Sequence, residues 1–342
     1  MDLTDRETDI EHTANRASPL RHLWKVGQLL VTVVLIYWAI QKLDWPQVWA
    51  SILTAKIGWL VIALSYPFLT VAIDALRLQV LLGAISRRVA WRRLFRVNLV
   101  GLFFDNFLPG NIGSDAYRTL SLSQQYAPRE VLTTVLLNRM LGWFGLLVLG
   151  LVGLLALQSL LPVDVFWSAL FVLSAGLCLM VIGFGLLVTF QRWHTYYWYD
   201  RILRRWERLV LFTQSAGQLL APRTLIPSLG LSFLLHAVVI TATVVIAQAY
   251  GVPSEQLFLV ACVAPIGFIA TMLPISIAGH GVRETAFIYL LSNFGIMPEV
   301  ALAISVSLYL MVALASLIGG GVRAFSKVKE LTIETSGTAV PY

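Results

Sequence analysis

Apolar residues in this chain run on without interruption instead of recurring at helical intervals among polar ones. Uncharged runs of 16 to 27 residues alternate with short segments where arginine and lysine cluster. A run of about 20 apolar residues is long enough to cross the hydrocarbon core of a bilayer as a helix. Six runs predict full spans: 26–41, 57–75, 132–157, 165–190, 225–250 and 300–322. Two further apolar stretches, 97–122 and 257–291, are interrupted by proline and glycine and predict broken helices. The expected fold class is therefore an all-α polytopic membrane protein with six full spans and two broken stretches.

The basic residues set an expected orientation, since cytoplasmic loops collect Lys and Arg. Arg16, Arg21 and Lys25 precede the first run, and Arg87, Arg88, Arg92, Arg93 and Arg96 precede the first broken stretch. The connector 191–223 holds Arg192, Arg201, Arg204, Arg205, Arg208 and Arg223, and the tail holds Arg323, Lys327 and Lys329. The intervening connections are poor in both residues. This pattern places both termini in the cytoplasm, provided that each broken stretch returns to its own side, as a re-entrant hairpin or as two crossings. The connector also mixes Trp, Tyr and Leu with its arginines. That mixture predicts an amphipathic helix on the cytoplasmic membrane surface, or an ordinary loop helix.

One short pattern occurs twice. FLPGNIGSDAYR occupies 107–118 and MLPISIAGHGVR occupies 272–283, so Leu108 and Leu273 lie 165 positions apart. The same offset carries the start of the second span to the start of the fifth, and that of the third to near that of the sixth. The repeated unit is span, broken stretch, span, over 57–157 and again over 222–322. With the orientation above, the first unit begins outside and the second inside. The repeats are thus inverted, an architecture that places a substrate site where broken helices meet. Residues 1–22 form an N-terminal segment, 23–326 the membrane domain and 327–342 a tail.

The repeated pattern carries chemistry. Pro109 and Pro274 each remove a backbone donor, and Gly110, Gly113, Gly279 and Gly281 permit a tight reversal. New helices are expected to start near Ser114 and near His280. A half-helix N-terminus inside the membrane presents unpaired N–H groups and the positive end of its dipole, which attract an anion. Arg118 and Arg283 sit about one turn in and add full charges, with Asp115 and Glu284 as counter-charges. Asp74 and Arg77, spaced i, i+3, read as a structural ion pair. Asn138 and Arg139 are polar residues within the third span, and Arg139 is a candidate for a cavity wall. His236 reads as a packed histidine.

Composition narrows the classes. The chain is 58% hydrophobic and 13% charged with a net charge of +7, against about 25% charged in an ordinary soluble domain. The positive charge fits loops facing anionic lipid and not nucleic acid. Residues 1–18 are polar with no apolar core of a signal peptide, so the first run reads as a retained span. Cys178 and Cys262, the two cysteines, fall in apolar runs and read as small buried hydrophobes. No His/Cys cluster has metal spacing and there is no phosphate-binding loop, so no enzyme, metal or cofactor is expected.

Three segments, NFLPGNIGSDAYRTLSL, LLNRMLGWFGLLVLG and LPISIAGHGVRETAFIYLLSNFGI, resemble the lysylphosphatidylglycerol synthase transmembrane-region family, also called flippase-like. The resemblance covers about residues 23–326. It implies a membrane domain linked to flipping aminoacylated phospholipid, and the translocating half alone, since the aminoacyl transfer of the two-domain synthases belongs to a separate soluble domain. Family members often carry an acidic residue where this chain has Asn138, and small residues are common at the position of His280.

The leading expectation is a lipid translocase of the bacterial inner membrane, moving a phospholipid or polyprenyl-phosphate amphiphile. Arg118, Arg283 and the half-helix N-termini would bind its anionic group, with Asp115, Glu284, Arg139, Ser114, His280 and Asn138 around it. A secondary transporter of a small anionic solute and a non-transporting partner of a glycosyl- or acyltransferase remain the alternatives. A second copy of the chain and a separately encoded lipid-modifying enzyme are the protein partners considered.

Overall fold

The computed structural model describes residues 44–85, 89–106, 112–193, 218–271 and 281–336. The expected first span, Pro109, Gly110, Pro274, Gly279, His280, most of the connector 191–223 and the last residues of the tail lie outside them. Among the described residues the regular structure is helical throughout: α1 Trp45–Leu53, α2 Ile57–Ala63, α3 Tyr66–Ile85, α4 Trp91–Asp105, α5 Gly113–Leu122, α6 Pro128–Ala156, α7 Val163–Trp193, α8 Pro222–Ala249, α9 Leu257–Ala270, α10 Val282–Ser292 and α11 Pro298–Ser336. Five stretches are long and apolar enough to cross a membrane: Ile57–Ile85, Pro128–Ala156, Val163–Thr189, Pro222–Ala249 and Pro298–Phe325. They correspond to the second through sixth expected spans. The protein is an all-α polytopic membrane protein.

The spans differ from the sequence expectation in ways their residues explain. Pro128, Pro222 and Pro298 open α6, α8 and α11 several residues before the apolar runs begin. Proline suits that first helical position because the N–H it lacks would have no partner there. The second span runs on to Ile85 instead of stopping at residue 75, because its two charges neutralise each other inside the helix. It is also broken at Leu64–Ser65, where the missing N–H of Pro67 would have bonded back to Ala63. Residues 91–96, expected as loop, form the start of α4. Within the expected 42–56 connection, residues 45–53 fold as α1, with Trp49 and Leu53 exposed. Cys262 is buried as expected. Cys178 is exposed, on a helix that packs chiefly along α6 and presents most of its surface outward.

The two broken stretches are hairpins that return to the end they came from. Arg93, near the start of α4, donates to Gln125, just past the end of α5. Gln256, just before α9, donates to Phe294, just past α10, at 3.4 Å. With 15 and 10 residues, α4 and α5 rise only about 22 and 15 Å, short of a core about 30 Å thick. With 14 and 11 residues, α9 and α10 are similarly short. All four described helices are shorter than a full crossing.

The repeats are inverted, and the packing shows it. Lys56 N–H donates to Ala249 O at 2.9 Å, joining the start of α2 to the end of α8. Leu81, near the end of α3, packs with Leu219, Leu220 and Leu225 around the start of α8. The first spans of the two units therefore run antiparallel. The hairpins are exchanged as well: α4 packs on α11, and α9 packs on α6. Each exchange rests on a glycine. A Cβ on Gly319 would collide with the Leu99 carbonyl, and one on Gly153 would lie 2.5 Å from the Cys262 carbonyl. Small residues of this kind let helix backbones meet closely in lipid.

The two ends of the bundle differ in charge. Arg92, Arg93, Arg96, Arg129, Arg223 and Arg323 gather at the end holding the start of α4 and the start of α8. Asp44, Asp164, Glu255 and Glu299 lie at the other with Lys56, where Asp44 N–H donates to Glu299 at 3.2 Å.

Candidate functional site

A cavity of about 410 Å³ lies where the units meet, lined from α3, α4, α5 and α6 of the first and α8, α9, α10 and α11 of the second. One wall is charged. Asp74 and Arg77 reach it from α3, Asp105 from α4, Asp115 and Arg118 from α5, Arg139 from α6 and Arg283 from α10. Apolar side chains line it as well, among them Leu146, Leu235, Val239, Phe268 and Val312. Charged groups this far from water persist only when paired, and the pairing here is extensive.

Asp74 is the centre of it. Its Oδ1 accepts from Arg77 Nη2 at 2.7 Å and from Asn138 at 3.0 Å. Its Oδ2 accepts from Arg118 Nη2 at 2.6 Å and from Asn98 at 3.0 Å. Arg77 donates onward to Asn138 at 2.8 Å and to Ser232 on α8 at 2.7 Å. Arg118 also approaches Asp115, more loosely, at 3.4 Å. The stronger partner of Asp115 is Arg139 at 2.5 Å, whose guanidinium stands 5.0 Å from the Trp143 ring centre. Arg77, Asp74, Arg118, Asp115 and Arg139 thus form one chain of alternating charge across three helices. In the second unit Arg283 pairs with Glu284 at 2.7 Å, donates to Ser305 at 2.9 Å and lies over Tyr309.

The sequence-derived residues are placed as follows. Arg118 and Arg283 each lie about one turn into a half-helix, and both line the cavity. Asp115 and Arg139 are brought together, and Asn138 is buried beneath them as a partner of Asp74 and Arg77. Glu284 stays behind Arg283, among the same side chains. Gly281 caps α10 with φ +82°, the left-handed conformation that favours glycine. Gly113 begins α5 for a different reason from the one expected. Its φ is not positive; a Cβ there would strike the Phe104 carbonyl across the hairpin. His236, read as a packed histidine, places Nε2 2.8 Å from the Gly142 carbonyl oxygen but is half-buried and also lines the cavity.

Two points correct the sequence reading. The half-helix N-termini do not offer all their N–H groups to a ligand, because the chain's own carboxylates already cap them. Ser114 N–H donates to Asp105 at 2.7 Å, and Gly281 N–H donates to Glu284 at 2.7 Å. Asp74 is not merely the local partner of Arg77, since it holds Arg118 more closely than Asp115 does. Asp105, Asp74 and Asn98 are the site residues the sequence reading missed. The available signal was an acid deep in an apolar run, which needs more stabilisation than one neighbour provides.

The sequence pattern of the lysylphosphatidylglycerol synthase TM region family matches residues 25–320, spanning almost all of both repeats. The chain belongs to that family. No curated protein matches it. In this member of the lysylphosphatidylglycerol synthase TM region family, the matched segment includes every described residue that lines the cavity.

Proposed function

We infer that the protein is a lipid translocase of the bacterial inner membrane, with its arginine-rich end in the cytoplasm. Its substrate is an amphiphile with an anionic headgroup, a phospholipid or a polyprenyl phosphate. The observation that carries this reading is the mixed lining of the cavity, charged and apolar side chains together. A soluble anion needs the arginines but not the apolar side chains of Leu146, Leu235, Val239, Phe268 and Val312. A non-transporting partner protein needs no cavity between its repeats. The reading also fits the family's link to an aminoacylated-lipid synthase, the chemistry of the synthase itself lying outside this domain's role.

The headgroup phosphate takes Arg118 and Arg283, whose planar donors match two phosphate oxygens at once. Asp115, still held by Arg139, gives up its looser contact with Arg118 as the phosphate binds, Glu284 gives up Arg283, and both contacts re-form when it leaves. Inverted repeats with exchanged hairpins provide two equivalent packings, open to opposite sides. No covalent step and no cofactor is required.

The test is translocation of a labelled anionic phospholipid in proteoliposomes. Arg118→Ala and Arg283→Ala, each verified as monodisperse, are expected to abolish it. Each loses about 2–5 kcal/mol of binding by removing a charge-assisted contact to the headgroup. Wild-type rates in both variants would overturn the reading.

A further inference from the structure

The carboxylates around the cavity are not equivalent. Asp74 pairs with Arg77 and Arg118, Asp115 with Arg118 and Arg139, and Glu284 with Arg283. Asp105 is half-buried and lines the same cavity, but among the described residues no arginine or lysine comes within ion-pair distance of it. Its contact is the Ser114 N–H at the start of α5, at 2.7 Å. The two units differ here. In the second, one acid does both tasks: Glu284 Oε2 accepts from Gly281 N–H and Oε1 holds Arg283, each at 2.7 Å. In the first the tasks are divided, so Asp105 caps a helix and pairs with no arginine.

Arg77, Asp74, Arg118, Asp115 and Arg139 are three positive and two negative groups, one positive in excess, whereas Arg283 with Glu284 is neutral. Ionised Asp105 balances that excess without touching it. A carboxylate away from water keeps its charge through a paired cation, and Asp105 is the acid of this cluster without one. Its surroundings are mixed in charge. Tyr66, Asp74 and Arg77 line the cavity from α3, and Asp115 and Arg118 from α5, where Tyr117 stacks on Phe104 beside Asp105. From α11, Ser316 bonds the adjacent Asn106, while Arg323 lies toward the opposite end of α4. Arg139, His236 and Arg283 stand on the other helices of the cavity. Arg118 Nε is buried without a hydrogen-bond partner among the described residues, so the cluster still has a donor to offer an anion.

We propose that Asp105 carries a proton that binds and moves together with the anionic headgroup, which makes the protein a proton–lipid symporter. This role rests on the translocase reading, whose energy source it supplies. The proton comes from water on the side to which the cavity opens, converts the carboxylate to the neutral acid and returns to water on the other side, with no further reactant. Protonation has two effects. A neutral acid accepts a hydrogen bond more weakly than a carboxylate, so Ser114 N–H is freed for a phosphate oxygen. It also removes the negative charge that has no cation beside it, leaving the cluster with one net positive charge, which a phosphodiester headgroup cancels. Proton and headgroup therefore raise each other's affinity by the same factor. Ionised Asp105 does the reverse: it caps α5 and repels the phosphate.

In the experiment the full chain in detergent is titrated with dihexanoyl phosphatidylglycerol, a soluble anionic phospholipid, by calorimetry in buffers of different ionisation enthalpy. Wild type is expected to take up about one proton per lipid bound in alkaline buffer, and its affinity to fall about tenfold per pH unit as pH rises there, because the bound state holds one proton more than the free state. Asp105→Asn keeps an oxygen for Ser114 N–H and is permanently neutral. It is expected to take up no proton and to bind at every pH as tightly as wild type does in acid. If it does not fold, Asp105→Ser takes its place. His236→Gln is expected to retain the uptake, and its loss there with retention in Asp105→Asn would move the proton to His236. That result, absence of lipid binding or of proton uptake in wild type, or unchanged uptake in a folded Asp105 variant overturns the proposal. In proteoliposomes bearing a pH gradient, labelled phosphatidylglycerol is expected to move away from the acidic side with wild type and to ignore the gradient with Asp105→Asn. Proton uptake on binding with no lipid movement would keep the proton on Asp105 and reject the translocase reading. Lipid movement that ignores the gradient, with no uptake on binding, would do the opposite.

Discussion

Asp74→Ala tests the organisation of the charged wall. The carboxylate accepts four hydrogen bonds, two from guanidinium groups at 2.7 and 2.6 Å and two from amides at 3.0 Å. The arginine side chains are 5% and 13% exposed, so water cannot replace what is lost. After truncation Arg77 keeps only the neutral acceptors Asn138 and Ser232, and Arg118 keeps only Asp115 at 3.4 Å. Breaking a buried pair by removing one partner costs about 3–5 kcal/mol. For a chain of 342 residues that corresponds to a fall in Tm of about 4–7 °C. Asp115→Ala should cost less, about 1 kcal/mol, because its closer partner Arg139, at 22% exposed, is more exposed than Arg77 or Arg118 and also rests on Trp143. The assay is thermal unfolding in detergent followed by intrinsic tryptophan fluorescence. The double variant Asp74→Ala/Arg77→Ala should lose less than the sum of the two single losses, since the second substitution removes a charge the first left stranded. Strict additivity, or an Asp74→Ala protein as stable as wild type, would refute the central role of this carboxylate.

Three further outcomes are expected. Gly319→Ala should destabilise markedly in the same unfolding assay, because its Cβ meets the rigid Leu99 carbonyl, whereas Gly183→Ala, with open space around it, should be neutral. Arg118→Lys and Arg283→Lys should restore translocation only partly, since an ammonium cannot match two phosphate oxygens at once. Once Cys178 and Cys262 are replaced, single cysteines at Gln125 and Asp164 should react with an impermeant maleimide from opposite sides of the membrane; labelling from one side would contradict the inverted arrangement.

The paired arginines and their half-helices were legible because the chain writes the pattern twice. Five of the six expected spans were legible from continuous apolarity, and the structure describes each of them. The role of Asp74 was hidden because Arg77, three residues away, already supplies a sufficient local partner. Arg118 is 44 positions further on, and nothing in the sequence links the two. The capping of α5 by Asp105 was hidden for the same reason, since the hairpin must close before that carboxylate faces Ser114. Gly113 was identified as a reversal glycine, but its reason is contact with Phe104 on the neighbouring half-helix, which local conformational preference does not reveal. Sequence periodicity reports what a residue does within its own helix, whereas this site is built from contacts between helices.

The exchange of hairpins between the units also sets an order of events during synthesis. The groove that receives α4 is cut by Gly319, so Leu99 must wait for about 220 residues of chain to be made before its partner exists. At about 5–20 residues per second that is a delay of about 10–45 s, during which the α4–α5 hairpin, with Arg118, sits in the bilayer against lipid or the insertion machinery. The α9–α10 hairpin meets no such delay, because α6 is already in place when it emerges. The first half of the protein is therefore the half that quality control sees unassembled. Defects that slow the arrival of α11 should be read by the cell as defects of the N-terminal half.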